Sequence, residues 1–168
     1  MKMTTTLLII IATLTALIGG LFYAYSCSVV LGLGKLSDME YLKSMQSINR
    51  EILNPVFFMS FMGTAVLLPV TTFVFRTQNP AFIFLLLATL IYLIGVFGVT
   101  IVGNVPLNNQ LDQFDIMSST AESVKKMRDV FENRWNFLNH IRSICSVIAI
   151  IFVVCACIWH KSQNISGL

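Results

Sequence analysis

The sequence predicts an all-α protein, a single domain over residues 1–168 in which four helices cross a membrane as a bundle. Three observations carry this. Hydrophobic residues make up 56% of the chain and charged residues only 11%, whereas soluble domains run at about 25% charged. Four apolar runs, at 7–33, 57–75, 82–102 and 141–159, each reach the roughly 17 to 25 residues that a helix needs to cross a ~30 Å hydrocarbon core. The short alternating strands of a transmembrane barrel are not visible.

The first run opens like a signal peptide, and Ala24-Tyr25-Ser26-Cys27 faintly resembles a lipoprotein cleavage site. Tyr25 is too bulky for such a site and the apolar run continues to Leu33, so a retained helix is expected. Gly19, Gly20, Tyr23, Ser26 and Ser28 read as close-packing and hydrogen-bonding positions, with Tyr23 placed to reach a site at that end.

Ser37-Asp38-Met39-Glu40 is a capping box, in which the serine oxygen and the glutamate satisfy free amide donors reciprocally. It predicts a helix that runs on into the second span, with a bend near Pro55. Leu42, Met45, Asn49, Ile52 and Val56 follow helical spacing along one stripe. Asn49 is therefore an amide in an apolar row, and leaving it unpaired would cost roughly 1–3 kcal/mol. Either it bonds a neighbouring helix, as amides in membranes commonly do, or it lines a site.

The second and third spans are joined only by residues 76–81, where Asn79-Pro80 marks a tight turn. The third span ends in Gly103-Asn104-Val105-Pro106-Leu107-Asn108. Asn104 and Asn108 share a face if the helix continues, but Pro106 predicts a bend or a stop equally well. The amides then read as site groups or as helix-end caps. A long connection of about 38 residues from Gly103 follows, holding a second capping box at Ser119-Thr120-Ala121-Glu122. Beyond it Glu122/Lys126, Lys125/Asp129 and Arg128/Glu132 stand at i,i+4. The second and fourth helices are thus expected to project beyond the membrane on one elaborated face, leaving the other face plain.

The fourth helix holds the densest chemistry. Phe131, Trp135, Asn139 and Arg142 form one ridge running into the apolar span. Arg142 has no carboxylate within i,i+4 reach. Arginine snorkelling to lipid phosphate, with Trp135 as an interfacial anchor, accounts for those two residues but not for the amide between them. His140 projects about 100° around the helix from Asn139. An imidazole titrates near neutrality, which suits proton transfer, although a lone histidine is more often structural. His160 at the far end reads as solvated or interfacial.

Several function classes drop out. A net charge of +3 without a basic, aromatic-interleaved patch gives no nucleic-acid signal. Cys27, Cys145, Cys155 and Cys157 lie in apolar spans and read as small hydrophobes. No metal-ligand spacing, phosphate-binding glycine loop or haem histidine pair appears. A transporter would call for discontinuous helices and paired intramembrane charges.

Phe22-Tyr23-Ala24, Met45-Gln46-Ser47-Ile48-Asn49, Asn104-Val105-Pro106-Leu107-Asn108 and Trp135 through Arg142 follow the order and layout of the anthrone oxygenase-like membrane proteins. The chain resembles that family over most of its length. The resemblance implies a four-span fold and, for bacterial members, the inner membrane. It further implies oxidation of a hydrophobic phenolic or aromatic molecule by oxygen with no cofactor. In that chemistry His140 is the expected base and Trp135 a stacking wall. Asn49, Asn104, Asn108, Asn139 and Arg142 are the expected oxyanion donors. The alternative is a non-enzymatic protein whose Asn/Trp/Arg cluster joins helices or holds a lipid or quinone-like ligand. Either way the expected partners are membrane lipids and a hydrophobic small molecule. Positive-inside counting sets Lys2, Arg76 and Lys161 on the plain face against seven basic residues on the elaborated face, which places the latter in the cytoplasm.

Overall fold

A computed structural model describes residues 3–166, with side chains as far as Ser162; Lys2 lies outside the described residues. They form five helices: α1 Met3–Leu33, α2 Asp38–Glu51, α3 Pro55–Val74, α4 Ala81–Asp112 and α5 Ala121–Ser166. Four of these, all but α2, are long and apolar enough to cross a membrane. The chain is an integral membrane protein built on a helical bundle.

The capping box at the start of α2 forms as its spacing predicts. Ser37 Oγ accepts from the Glu40 amide, and the Glu40 carboxylate accepts from the Ser37 amide at 3.1 Å. The Ser37 hydroxyl, donating to the Glu40 carboxylate at 2.6 Å, and then the Ser37 amide hold that carboxyl below its usual range. The second box, expected at Ser119–Glu122, does not form, and the cap falls one residue later. Thr120 Oγ1 caps α5 by accepting from the Ser123 amide at 3.3 Å, while Ser119 donates to the Asp115 carbonyl. Of the three expected i,i+4 ion pairs on α5, Arg128–Glu132 forms, at 2.7 Å.

Two helix boundaries differ from expectation. The second helix does not bend at Pro55 but breaks. Asn54 adopts an extended backbone and its side chain caps the Phe57 amide at 3.0 Å, with Pro55 in the first turn of α3. Val56 consequently leaves the Leu42–Ile52 stripe and is exposed. Conversely, the third span does not stop at Pro106 but continues to Asp112. Residues Thr100–Asn104 form a widened, π-helical turn in which the Val105 amide bonds the Thr100 carbonyl five residues back. Pro106 therefore falls where the ordinary i→i−4 ladder is already interrupted, so its missing donor costs little.

Two apolar clusters stack along the bundle. The larger holds Phe22, Phe61, Tyr92, Val96 and Ala149 within the membrane. The smaller holds Tyr41, Leu42, Met45, Leu107, Phe131 and Trp135 at the elaborated end. Glycines let α4 press against α5: a Cβ on Gly95 would collide with Cys145, and one on Gly103 would come within 2.8 Å of Leu138. The polar residues singled out above lie at the junction of the two clusters. At the plain end His160 is not solvated. It is buried edge-on against Phe75, within 3.2 Å of Gln78 and 3.4 Å of Thr4.

Candidate functional site

At this junction a chamber of about 130 Å³ is walled by every crossing helix and by α2. A buried apolar cavity of about 150 Å³ accepts benzene, so this one is on the scale of a single aromatic ring. Phe22, Phe57, Phe61 and Trp135 supply flat apolar walls. Leu21 of α1 and Phe58 and Met62 of α3 also line it, yet they are 37%, 38% and 39% exposed. The outer wall of the chamber is thus the lipid-facing surface between α1 and α3.

Arg142 is the chemical centre. It is 5% exposed, and among the described residues no carboxylate pairs with it. Its partners are neutral: Asn139 Oδ1 accepts at 2.8 Å and Thr100 Oγ1 at 3.3 Å. The guanidinium lies over the Phe22 ring at 4.5 Å and the Trp135 ring at 5.3 Å, a cation–π arrangement that holds a charge without neutralising it. Its Nε has no hydrogen-bond partner. The chamber therefore keeps a buried positive charge.

The other groups fix that charge in place. Asn139 donates to Ser26 Oγ at 2.8 Å, and Ser143 shares a hydroxyl contact with Ser26 and bonds the Phe22 carbonyl at 2.9 Å. This chain of bonds ties α1 to α5 and leaves Asn139 with both ends of its amide engaged. Trp135 Nε1 donates to Asn108 Oδ1 at 2.8 Å, orienting the indole. Asn104 is fully buried; its Nδ2 reaches the Trp135 carbonyl only at 3.5 Å, and its Oδ1 has no partner. Asn49 lines the chamber with an unpartnered Nδ2.

Six of the seven expected site residues are therefore brought together. Asn49, Asn108, Trp135, Asn139 and Arg142 line the chamber, and Asn104 is bonded to Trp135 behind it. The exception is His140, which is exposed and is not among the chamber's walls. The helical rotation that buries Asn139 and Arg142 carries the intervening His140 outward, so the structure removes the expected base from the chamber. Tyr23 likewise points away, at 60% exposed.

Sequence reasoning missed Phe22, Tyr25 and Thr100 as chamber residues. Tyr25 packs its ring on Trp135 at 5.1 Å and donates to the Met45 sulfur. The signal was present in the spacing, because Phe22, Tyr25 and Ser26 stand at i, i+3 and i+4 on one face of α1. Tyr25 also opens a π-helical turn, Tyr25–Val29, and such turns recur at functional sites.

A family model described as anthrone oxygenase matches residues 55–152. The match spans more than half of the chain, from the start of α3 well into α5, and the chain belongs to that family. No curated protein and no solved structure matches it.

Proposed function

We propose that this member of the anthrone oxygenase family binds a flat, hydrophobic phenol from the bilayer, holds its oxygen as an anion against Arg142, and passes it to oxidation by molecular oxygen. The observation that carries this is the buried guanidinium with no acidic partner, set at the end of an aromatic-walled chamber. Ligand access from the lipid between α1 and α3 is supported by the half-exposed Leu21, Phe58 and Met62.

The magnitudes favour electrostatics over a resident base. A unit charge about 4 Å from another attracts it by roughly 4 kcal/mol at an effective dielectric near 20. Desolvating the phenolate returns part of this, leaving on the order of one to two pKa units of stabilisation. Arg142 can thus favour the ionised ligand without taking a proton itself. Asn139 holds the guanidinium in position, and Trp135 and Phe22 form the faces against which the ring lies. For an anthrone, loss of a proton from the methylene gives an anion spread onto the ring oxygen, and that oxygen is the atom Arg142 would hold. The electron-rich carbon then reduces oxygen; the overall change, methylene plus O2 to carbonyl plus water, balances. The protein contributes the ionised state, the orientation and a low-dielectric enclosure.

A second reading has its own support. The Ser26–Asn139–Ser143 chain joins α1 to α5 and is fully bonded, as a purely architectural network would be. In that reading the chamber holds a lipid or quinone-like ligand without turnover. An oxygen electrode separates the two. Purified full-length protein given hydrophobic phenols or an anthrone should consume oxygen, and Arg142→Met should lose about 100-fold or more of the rate. Ligand binding with no oxygen uptake favours the second reading. Neither binding nor uptake contradicts both.

A further inference from the structure

The chamber has no carboxylate in its walls and His140 lies outside it, so an ionising ligand must send its proton elsewhere. A second cavity of about 130 Å³ adjoins the first and shares Asn49, Leu53, Val105 and Asn108 with it. Its remaining walls are Arg50, Asn109 and Asp112 at the elaborated face. Asp112 is the one carboxylate lining either cavity.

The end of α4, which forms part of the common wall, carries a polar row. Thr100, Asn104, Asn108 and Asp112 stand at successive i,i+4 positions of α4, covering about 18 Å. Each engages a neighbouring helix. Thr100 contacts Arg142 at 3.3 Å, Asn104 and Asn108 meet the backbone and indole of Trp135, and Asp112 pairs with Arg50 at 2.6 Å. Among the described residues three buried side-chain polar atoms lack a partner: Asn49 Nδ2 on the wall the two cavities share, Arg142 Nε in the inner chamber, and Asn104 Oδ1 on α4 behind Trp135. Buried polar atoms cost too much to leave unused, and aligned amides with spare valences are what water needs to bridge a passage. The outer end is open: Arg50 and Asp112 are 62% and 50% exposed, with Lys43 of α2 and Asp115 on the adjoining groove.

We infer that the amide-lined vestibule between α2 and α4 is an aqueous port for the Arg142 chamber, and that Asp112 is the acceptor through which a bound phenol's proton leaves. The inference rests on the phenolate reading above. In the step the phenol O–H bond breaks, its electron pair stays on the oxygen facing Arg142, and the proton passes through water in the vestibule to the Asp112 carboxylate and then to solvent. No electrons are transferred. The lipid-facing wall admits the ligand and the vestibule exchanges its proton, so the two traffic paths are separate.

The port is tested first without any ligand. In full-length protein reconstituted in vesicles, Val105→Cys on the shared wall should react with a charged, membrane-impermeant thiol reagent added to the elaborated side. Leu17→Cys, on the apolar outer surface of α1 and lining neither cavity, should not, with the four native cysteines as background. A Val105→Cys as inert as Leu17→Cys overturns the port while leaving phenolate binding untouched. The proton step is tested by rapid mixing with 4-nitrophenol at a pH below its ordinary pKa, following the coloured phenolate. Asp112→Asn should reach the wild-type final amplitude but about tenfold or more slowly. Asp112→Glu should restore the rate. Asp129→Asn, at an exposed carboxylate that lines neither cavity, should leave it unchanged. An Asp112→Asn rate equal to wild type overturns the role of Asp112. Absence of bound phenolate in the wild type overturns the phenolate reading itself.

Discussion

Arg128 and Arg142 stand on the same helix and nearly the same face, yet they are held in opposite ways. Arg128 is surrounded by acceptors: Asp38 at 2.9 Å, Glu132 at 2.7 Å and the carbonyls of Gly34 and Leu36 at 3.0 and 2.8 Å. It also lies over the Tyr41 ring at 4.6 Å, whose phenol is pushed up by burial and further by the Glu132 carboxylate, so the ring stays neutral. Its charge is more than neutralised. Arg142, deeper in the bundle, has two neutral acceptors and two ring faces. One arginine fastens the α1–α2 connection to α5; the other leaves a positive charge standing in a chamber. Full pairing marks structure, and a buried charge held by neutral groups marks a site awaiting a counter-charge.

Breaking the Arg128 side of this comparison should have the largest effect. Arg128→Ala strands two carboxylates and two carbonyls, and with the side chain only 12% exposed the loss should be about 3 kcal/mol in stability. Denaturant or thermal unfolding in detergent checks it, and ligand affinity per folded molecule should be unchanged. Asn139→Leu sharpens the other side. It removes the 2.8 Å acceptor of Arg142 and the bond to Ser26, at about 1–3 kcal/mol, and it should also weaken phenolate binding about tenfold because the guanidinium is no longer oriented. If affinity holds while stability falls, Asn139 serves the fold alone.

Smaller effects lie outside both arginines. The Glu40 carboxyl is held below its usual range by the Ser37 hydroxyl and amide. Its contribution is present above the unfolded carboxyl pKa and is lost as pH falls through the lower folded value. The protection of the amides at the start of α2 against exchange, taken relative to the intrinsic rate at each pH, should therefore fall on acidification, with the chamber unaffected. Ser37→Ala should reduce that pH dependence, leaving only the part due to the Ser37 backbone amide. The smallest effect is expected at His140. Being exposed and outside the chamber, His140→Ala should change stability by no more than about 0.5 kcal/mol and leave binding and oxygen uptake at wild-type levels. A large loss of turnover there would return the base to His140.

The ridge that defines the site was readable before any coordinates. Phe131, Trp135, Asn139 and Arg142 face inward because four-, four- and three-residue steps return to one side of a helix, and all four are buried. The same rule already turned His140 away from Asn139, although its chemistry argued for a place in the site. What periodicity could not supply was the course of α4. Pro106 predicts a bend or a stop equally well, and the π-helical turn ahead of it, which accommodates its missing donor, is not visible in the residues. Without the continuation past Pro106, Asn104 and Asn108 look like caps and Asp112 looks like loop. The break at Asn54 was equally hidden, since Pro55 fits both a bent helix and the first turn of a new one.

The central claim is that Arg142 offers an uncompensated positive charge to an anionic oxygen. An equilibrium absorbance titration of 4-nitrophenol with the full-length protein, at a pH below the free ligand's pKa, tests it most directly. Wild-type protein should generate the phenolate band on binding, lowering the ligand's pKa by about one to two units, and Arg142→Met should bind the neutral phenol without the band. A wild-type complex in which the phenol stays protonated, or an Arg142→Met complex with an undiminished phenolate band, would contradict the account.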